Sequence, residues 1–441
     1  MHLKQLFFFL FFSICSFSQS EFQISNPKNK VIIPFKFINN LIFIPVSING
    51  EELTFLLDTG VEQTILFSLD DKDEVKLFEI EKLKLRGLGS KEAVDSYKSS
   101  KNKVEIKDFV DFNHEIYIIL DQEFNFSSQV GIPVNGILGY NFFRKHIVKI
   151  DYDRRKIIVY EQNHKIKKNL QKRFKKNTIT IEEKKPYCIS TIRSGDESIP
   201  SKLLIDTGNS DAVWVFANKN NKIRLPKENI DDYLGRGFSG NVYGKRARIR
   251  SFEFGGKTFD FPLITYPDSS SIKSVNFVPN RIGSVGSEIL SRFTIVLDYL
   301  NGVIYTKPNS NLKSPFQFNM SGIEVEHAGL EWVKETINDN QNQGIIIYTD
   351  ISDQNLQNSL KIRFKLKPVF KVASVRVNSE AEKAGIKVGD RILEINNHSG
   401  HGFTIEMINA LLKSEEGKTI EMKIERDNKT HKYKFQLKKI I

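Results

Sequence analysis

Short runs of β-branched and aromatic residues, separated by turn residues, dominate residues 22–161. Val31-Ile32-Ile33-Pro34-Phe35 and Leu41-Ile42-Phe43-Ile44-Pro45-Val46 have the composition of strands. Asn49-Gly50 is a hairpin signal, because both residues tolerate positive φ, and it delivers the chain into a strand over residues 53–57. The scheme repeats over residues 178–307, where Gly255-Gly256 is another hairpin turn. The spacing predicts two all-β units, each with one short helix, at residues 141–145 and 287–292. Past Pro315 the pattern changes to an extended stretch over 361–377, a strand over 391–396, helical apolar spacing over 404–412 and a hairpin over 420–437 that turns at Asp427-Asn428. These elements predict a separate small α+β domain.

The two β units carry near-copies of one short message. Leu56-Leu57-Asp58-Thr59-Gly60 recurs 148 residues later as Leu204-Ile205-Asp206-Thr207-Gly208, each an apolar strand ending in an acid, a hydroxyl and a glycine. A second pair keeps almost the same offset: Gly136-Ile137-Leu138-Gly139, followed by Ile150-Asp151-Tyr152, returns as Gly283-Ser284-Val285-Gly286, followed by Leu297-Asp298-Tyr299. One Asp-Thr-Gly alone reads as a turn. Duplication with matching flanks points to two carboxylates built to share one site.

Hydrolysis of an amide needs a water made more basic and a carbonyl made more electrophilic, and two close carboxylates sharing one proton supply both. Like charges at that range do not both ionise readily, so the two pKa values are driven apart. Gly60 and Gly208 let two loops approach with no side chain between them. Thr59 and Thr207 offer hydroxyls that can cross-bond the loops, and the apolar pairs before each Asp bury the strands behind.

These repeats resemble the aspartic peptidases of pepsin and retropepsin type, in which each lobe supplies one Asp-Thr/Ser-Gly loop and a later apolar-apolar-Gly segment passes behind it. The resemblance covers residues 22–307. Ile137-Leu138-Gly139 matches that segment, and Ser284-Val285-Gly286 matches at its last two positions. The first loop, Asp58-Thr59-Gly60-Val61-Glu62-Gln63-Thr64, is similar to the retroviral version with Val61 where Ala is usual, and the second is closer to pepsin. The resemblance implies a mainly β, two-lobed pair of acid-protease barrels with Asp58 and Asp206 as the catalytic pair. It also implies a glycine-rich flap that closes over substrate. Arg86-Gly87-Leu88-Gly89-Ser90, with Gly87 and Gly89, and Arg236-Gly237-Phe238-Ser239-Gly240, with Gly237 and Phe238, are the flap candidates. Neither carries the Tyr that pepsins place there.

The C-terminal run Ala384-Gly385-Ile386-Lys387-Val388-Gly389-Asp390-Arg391-Ile392-Leu393-Glu394-Ile395-Asn396 resembles the PDZ domain. Asn378-Ser379-Glu380-Ala381 stands where Gly-Ser-Pro-Ala is common, and Asn397 where Gly is usual. The resemblance implies a peptide ligand added as a strand in a groove between a strand and the helix over 404–412. Ile405, Ile408 and Leu412 would line that groove or, equally, the core.

Other motifs read as structure. Gly235-Arg236-Gly237-Phe238-Ser239-Gly240 has dinucleotide-loop spacing without the flanking strand and helix that such a loop needs. His398-Ser399-Gly400-His401 lacks a third ligand and reads as solvated loop histidines. Asp151 and Asp298 read as turn acids. The chain has no Gly-x-Ser-x-Gly elbow, and Cys188 has no motif around it, so a serine or cysteine nucleophile has little support. No cofactor and no metal are expected.

The start of the chain adds a destination. Met1-His2-Leu3-Lys4-Gln5, an apolar Phe-rich run over 6–17 and Ser18-Gln19-Ser20 have the layout of a secretory signal over residues 1–20. The run is short for a membrane span, so a soluble periplasmic or extracellular protein is expected. Cys15 offers the alternative of a lipid anchor, for which Ser13-Ile14 before it is a poor fit. Removing the leader leaves Cys188 alone, with no intrachain disulfide, so stability must come from cores. The net charge of +12 suggests nucleic acid, against which export argues. Much of the excess lies in Lys165-Ile166-Lys167-Lys168 and Lys172-Arg173-Phe174-Lys175-Lys176, a solvated connection between the lobes.

The expected organisation is thus a leader (1–20), an N-terminal lobe (21–164), a basic connection (165–177), a C-terminal lobe (178–310) and a PDZ-like domain (316–441). The expected function is an exported aspartic endopeptidase acting as a monomer on peptides or unfolded proteins, with the PDZ unit holding substrate or restraining the site, and with no nucleic-acid partner. Two alternatives stand beside it: a catalytically inactive, exported peptide-binding protein acting through the PDZ domain, and a homodimer in which the second copy completes the site. Both Asp-Thr-Gly copies are intact, which favours catalysis in one chain.

Overall fold

The computed structural model describes residues 21–67, 69, 75–85, 94–119, 126–216, 223–237, 240–273, 277–336, 345–347 and 362–441. The expected leader and the first flap candidate, with Gly87 and Gly89, lie outside them, as does Phe238 of the second.

The first lobe runs β1 (Lys30–Pro34), β2 (Leu41–Ile48), β3 (Glu51–Leu57), β4 (Thr64–Leu66), β5 (Val94–Ile106), β6 (Phe109–Ile119), α1 (Phe126–Val130), β7 (Gly136–Leu138), α2 (Tyr140–Phe143), β8 (Ile147–Asp151) and β9 (Lys156–Tyr160). Asn49 and Gly50 take φ of 52° and 99°, the left-handed geometry that turns β2 into β3. β7 then slots beside β3, parallel to it, with Leu138 opposite Leu57. β7 also pairs with β4, antiparallel. Its three residues, Gly136, Ile137 and Leu138, are buried on both faces, which explains their unbroken apolar text.

The second lobe continues with α3 (His164–Arg173), β10 (Lys175–Thr178), β11 (Lys185–Ser194), β12 (Glu197–Ile205), β13 (Val213–Val215), β14 (Asn229–Gly237), β15 (Gly240–Arg248), β16 (Leu263–Pro267), β17 (Arg281–Val285), α4 (Ser287–Leu290), β18 (Phe293–Asp298) and β19 (Val303–Pro308). The plan of the first lobe returns: β17 runs parallel to β12, with Val285 opposite Ile205, and antiparallel to β13.

A six-stranded sheet in the order β10-β19-β18-β8-β9-β1 joins the lobes, with Ile150 of one opposite Ile295 of the other. The basic segment read as a plain connection contributes to it. Asn163 caps α3 by accepting a hydrogen bond from Lys165 N at 2.8 Å. Leu170 of the helix packs with Ile147, Val296, Val303 and Tyr305, Lys167 reaches Asp298 at 3.8 Å, and Lys165, Lys168 and Lys172 stay in solvent. The charge run therefore hides a helix with only a narrow apolar stripe, and β10 follows it into the sheet. Asp151 and Asp298 close turns at the ends of β8 and β18. The first accepts from Arg154 N at 3.2 Å and the second from Asn301 Nδ2 at 2.8 Å.

The C-terminal domain opens with a long hairpin arm, β20 (Ile323–Thr336) against β21 (Ile362–Val375), followed by α5 (Glu380–Ala384), β22 (Arg391–Ile395), α6 (Ile405–Leu412), β23 (Thr419–Arg426) and β24 (Lys429–Gln436). Thr404 caps α6 through Met407 N. Ile405, Ile408 and Leu412 are 1, 0 and 0% exposed, packed with Ile392, Ile395, Ile420 and Met422. They belong to the core and do not line a groove, because they form the inward stripe of α6. The opposite face, Glu406, Asn409, Ala410 and Lys413, looks toward the lobes. The apolar cluster of this domain also takes in Ile230 of β14 and Leu263 of β16, so the domain is docked on the second lobe.

Candidate active site

Asp58 and Asp206 each leave the end of an apolar strand, and each backbone N–H is held by the strand that passes alongside. Asp58 N donates to Leu138 O and Asp206 N to Val285 O, both at 3.0 Å. These paired bonds give the duplicated apolar-apolar-Gly segments a purpose: they fix the two acid loops in equivalent places. Gly139 and Gly286 have no room for a side chain, since a Cβ would lie 2.2 Å from Val61 O and from Asp211 O respectively.

The two loops meet within one chain. Thr59 N donates to Thr207 Oγ1 and Thr207 N to Thr59 Oγ1, both at 3.0 Å. The hydroxyls donate onward, Thr59 Oγ1 to Ile205 O at 2.6 Å and Thr207 Oγ1 to Leu57 O at 2.8 Å. All four donors are buried, so leaving any unpaired is costly. Thr207→Val is expected to cost about 1–3 kcal/mol of stability, measured by chemical denaturation. It is also expected to lower any activity of the pair about tenfold by loosening their alignment.

Beyond this cross-brace the carboxylates face one another. Gly60 N donates to Asp58 Oδ1 at 2.6 Å and Gly208 N to Asp206 Oδ1 at 3.1 Å. The space a side chain would need on Gly208 is occupied by the carboxylate of Asp58, and that on Gly60 by the carboxylate of Asp206. Burial, and next the negative charge of Asp206, push the Asp58 carboxyl up to about 8. Burial also raises Asp206, against the pull of the Arg281 guanidinium. The two side chains lie within hydrogen-bond reach of one another, the arrangement of a pair that shares one proton.

The pair opens into a cleft of ≈ 1210 Å³ bounded by both lobes and the C-terminal domain. Gly237 lies on its wall at the end of β14. On the far side stand the outward face of α6 and residues 324–329 of β20. α1 is wedged beside them: Asn409 Nδ2 of α6 donates to Asn39 Oδ1 at 3.2 Å, and Asn39 Nδ2 donates to Gln129 O of α1 at 3.3 Å.

Several residues of the site carried no sequence signal because their meaning lies in tertiary contacts. A buried ionic chain leads from the C-terminal domain to the Asp206 loop. Arg376 Nε donates to Asp232 Oδ1 at 3.0 Å, Arg246 Nε to Asp232 Oδ2 at 2.8 Å, and Arg246 to Asp211 Oδ1 at 2.7 Å. Trp214 Nε1 completes Asp211 at 2.7 Å. Arg246 holds the Asp211 carboxyl below the usual range against its burial. Glu288, buried beside Asp211, is pushed up to about 7. His398 and His401 lie apart from the cleft, on backbone carbonyls at Asn396 and Pro368.

Comparison with known proteins agrees with this architecture. Residues 44–142 match the family model described as aspartyl protease, and residues 371–426 match that of the PDZ domain. The chain therefore carries an aspartyl protease domain and a C-terminal PDZ domain on a mainly β framework. Among solved structures, the aspartic proteinase from Irpex lacteus is similar at 13% identity and a TM-score of 0.40, over 65% of this chain and 99% of that one. Comparison with curated proteins finds no match.

Proposed function

We propose that the protein is an exported, monomeric aspartic endopeptidase in which Asp58 and Asp206 of one chain hydrolyse peptide bonds. The observation that carries this reading is the reciprocal threonine brace, which holds two hydrogen-bonded carboxyls in one open cleft. Asp206, the ionised member, takes a proton from water as its oxygen attacks the scissile carbonyl carbon. Asp58 gives its proton to the carbonyl oxygen, so no free oxyanion forms. As the C–N bond breaks, Asp206 passes its proton to the leaving nitrogen and Asp58 recovers one from the tetrahedral carbon's hydroxyl. The pair is returned with one proton. Export rests on the leader pattern of residues 1–20.

In this reading the PDZ domain restrains the catalytic cleft. Its helix α6 and edge strand β20 form a wall of the cleft, α1 of the first lobe is wedged against them, and Arg376 ties the domain to β14, the strand of the second flap candidate. Arg376→Met leaves Asp232 with Arg246 alone and is expected to cost about 3 kcal/mol, the lower end for a broken buried pair. Denaturation of the full chain measures it, and cleavage is expected to fall in parallel.

The test is cleavage of a reduced, unfolded protein by the purified chain without residues 1–20, followed by mass spectrometry from pH 3 to 9. A bell-shaped profile is expected. Its alkaline limb lies near 8, where Asp58 gives up the shared proton, and its acid limb marks protonation of Asp206. The same shifts oppose stability at high pH: folded pKa values above the unfolded ones mean that the native pair binds more protons, so its contribution declines as pH rises from about 4 toward 8. Absence of cleavage at every pH would move the assignment to a peptide-binding protein.

A further inference from the structure

β17 begins at Arg281, on the cleft wall that also holds Asp206. Its guanidinium carbon lies 5.1 Å from the ring centroids of both Phe216 and Phe277 and 5.9 Å from that of Tyr187. Its Nε donates to Gly283 O at 3.1 Å. These contacts fix a planar cation, and aromatic faces stabilise it without neutralising it. Its side chain is hydrogen-bonded to that of Tyr187, the carboxylate of Asp206 is the anion that acts on it, and among the described residues it forms no ion pair. The neighbouring Arg246, in contrast, is held by two carboxylates. Lys185 lines the same cleft, acts on Asp58, and likewise forms no ion pair among the described residues. Two cations therefore face a carboxyl pair that carries one negative charge when it holds its working proton. Of the other carboxylates on this wall, Glu62 is held by Lys184 and Glu183 acts on Tyr187, and neither pairs with the Arg281 guanidinium.

We propose that Arg281, with Lys185 beside it, is a specificity-determining residue that selects substrates with an aspartate or glutamate side chain flanking the scissile bond. The inference rests on the peptidase reading above. An acidic side chain bound there would give the Arg281 guanidinium the carboxylate partner it lacks. A neutral isostere would leave the guanidinium desolvated by substrate with no new partner, which is the arrangement that gives large discrimination.

The test uses the full chain without residues 1–20 and matched fluorogenic peptides that differ only by Glu or Gln at each of the three positions on either side of the scissile bond. At pH 6 one position is expected to favour Glu by at least about tenfold in kcat/KM. That preference should vanish below about pH 4, where the substrate glutamate is protonated and Arg281 is not. Arg281→Gln should reduce it to under about twofold, and Arg281→Lys should keep part of it. Equal kcat/KM for Glu and Gln peptides at every position would overturn the proposal. So would Arg281→Gln slowing both members of a pair equally while the preference persists, the result for a residue that acts only through Asp206. If Arg281→Gln does not fold, the wild-type pH dependence and Arg281→Lys decide. Failure to cleave any peptide or unfolded protein would instead remove the peptidase reading itself.

Discussion

Asp58→Asn and Asp206→Asn, each made alone, are expected to lower kcat/KM for peptide cleavage at least about 10³-fold while leaving the fold at least as stable as the wild type. The two effects have one cause. In the native state burial disfavours the ionised form of both carboxyls, and the charge of Asp206 repels that of Asp58. An amide of nearly the same shape removes that repulsion. It also removes either the group that accepts a proton from water or the group that gives one to the carbonyl oxygen, and neither half-site balances the proton. Steady-state cleavage and denaturant midpoints read the two effects separately. Mixing the two variants should restore nothing, because the threonine brace joins Asp58 to Asp206 of the same chain.

Gly208→Ala is expected to lower cleavage about 10²–10³-fold although every catalytic group remains. The new methyl would stand 2.2 Å from Asp58 Oδ2 and 2.3 Å from its Cγ, so the carboxyl or the loop must shift. A displacement near 1 Å is enough for a loss of that order. Gly60→Ala is the milder counterpart, at 2.9 Å from Asp206 Oδ1, with an expected loss of about tenfold. A kcat/KM series of wild type, Gly60→Ala and Gly208→Ala checks the ranking.

The elements built from local pattern were legible in the sequence. The hairpin at Asn49-Gly50 needed only a residue pair that accepts positive φ, and the duplicated Asp-Thr-Gly loops needed only spacing. The cross-brace was legible too, because Thr59 and Thr207 sit where a hydroxyl has work to do only if the loops meet. α3 was missed for a physical reason: ten residues bury little beyond Leu170, and the lysine run masked so narrow a stripe. Ile405, Ile408 and Leu412 showed the opposite ambiguity. Helical spacing marks an apolar stripe but does not say whether the stripe meets a core or a ligand, and here it meets the core.

What the sequence concealed are contacts between segments far apart in the chain. Arg376, Asp232, Arg246 and Asp211 are ordinary charged residues until folding lines them up. Arg281 is likewise one arginine among many until Phe216, Phe277 and Tyr187 surround it. Docking of the PDZ domain through Ile230 and Leu263 had no local trace, since buried apolar residues carry no address.

The proposed site is complete within each chain, and calorimetric titration with a peptide whose scissile carbonyl is replaced by a secondary alcohol reads this as a stoichiometry. Such a hydroxyl imitates the tetrahedral state between the carboxyls, so tight binding requires both. One equivalent is expected to bind per chain, with affinity reduced at least about tenfold in either Asn variant. Binding of one equivalent per two chains, or undiminished binding to Asp58→Asn or Asp206→Asn, would contradict it.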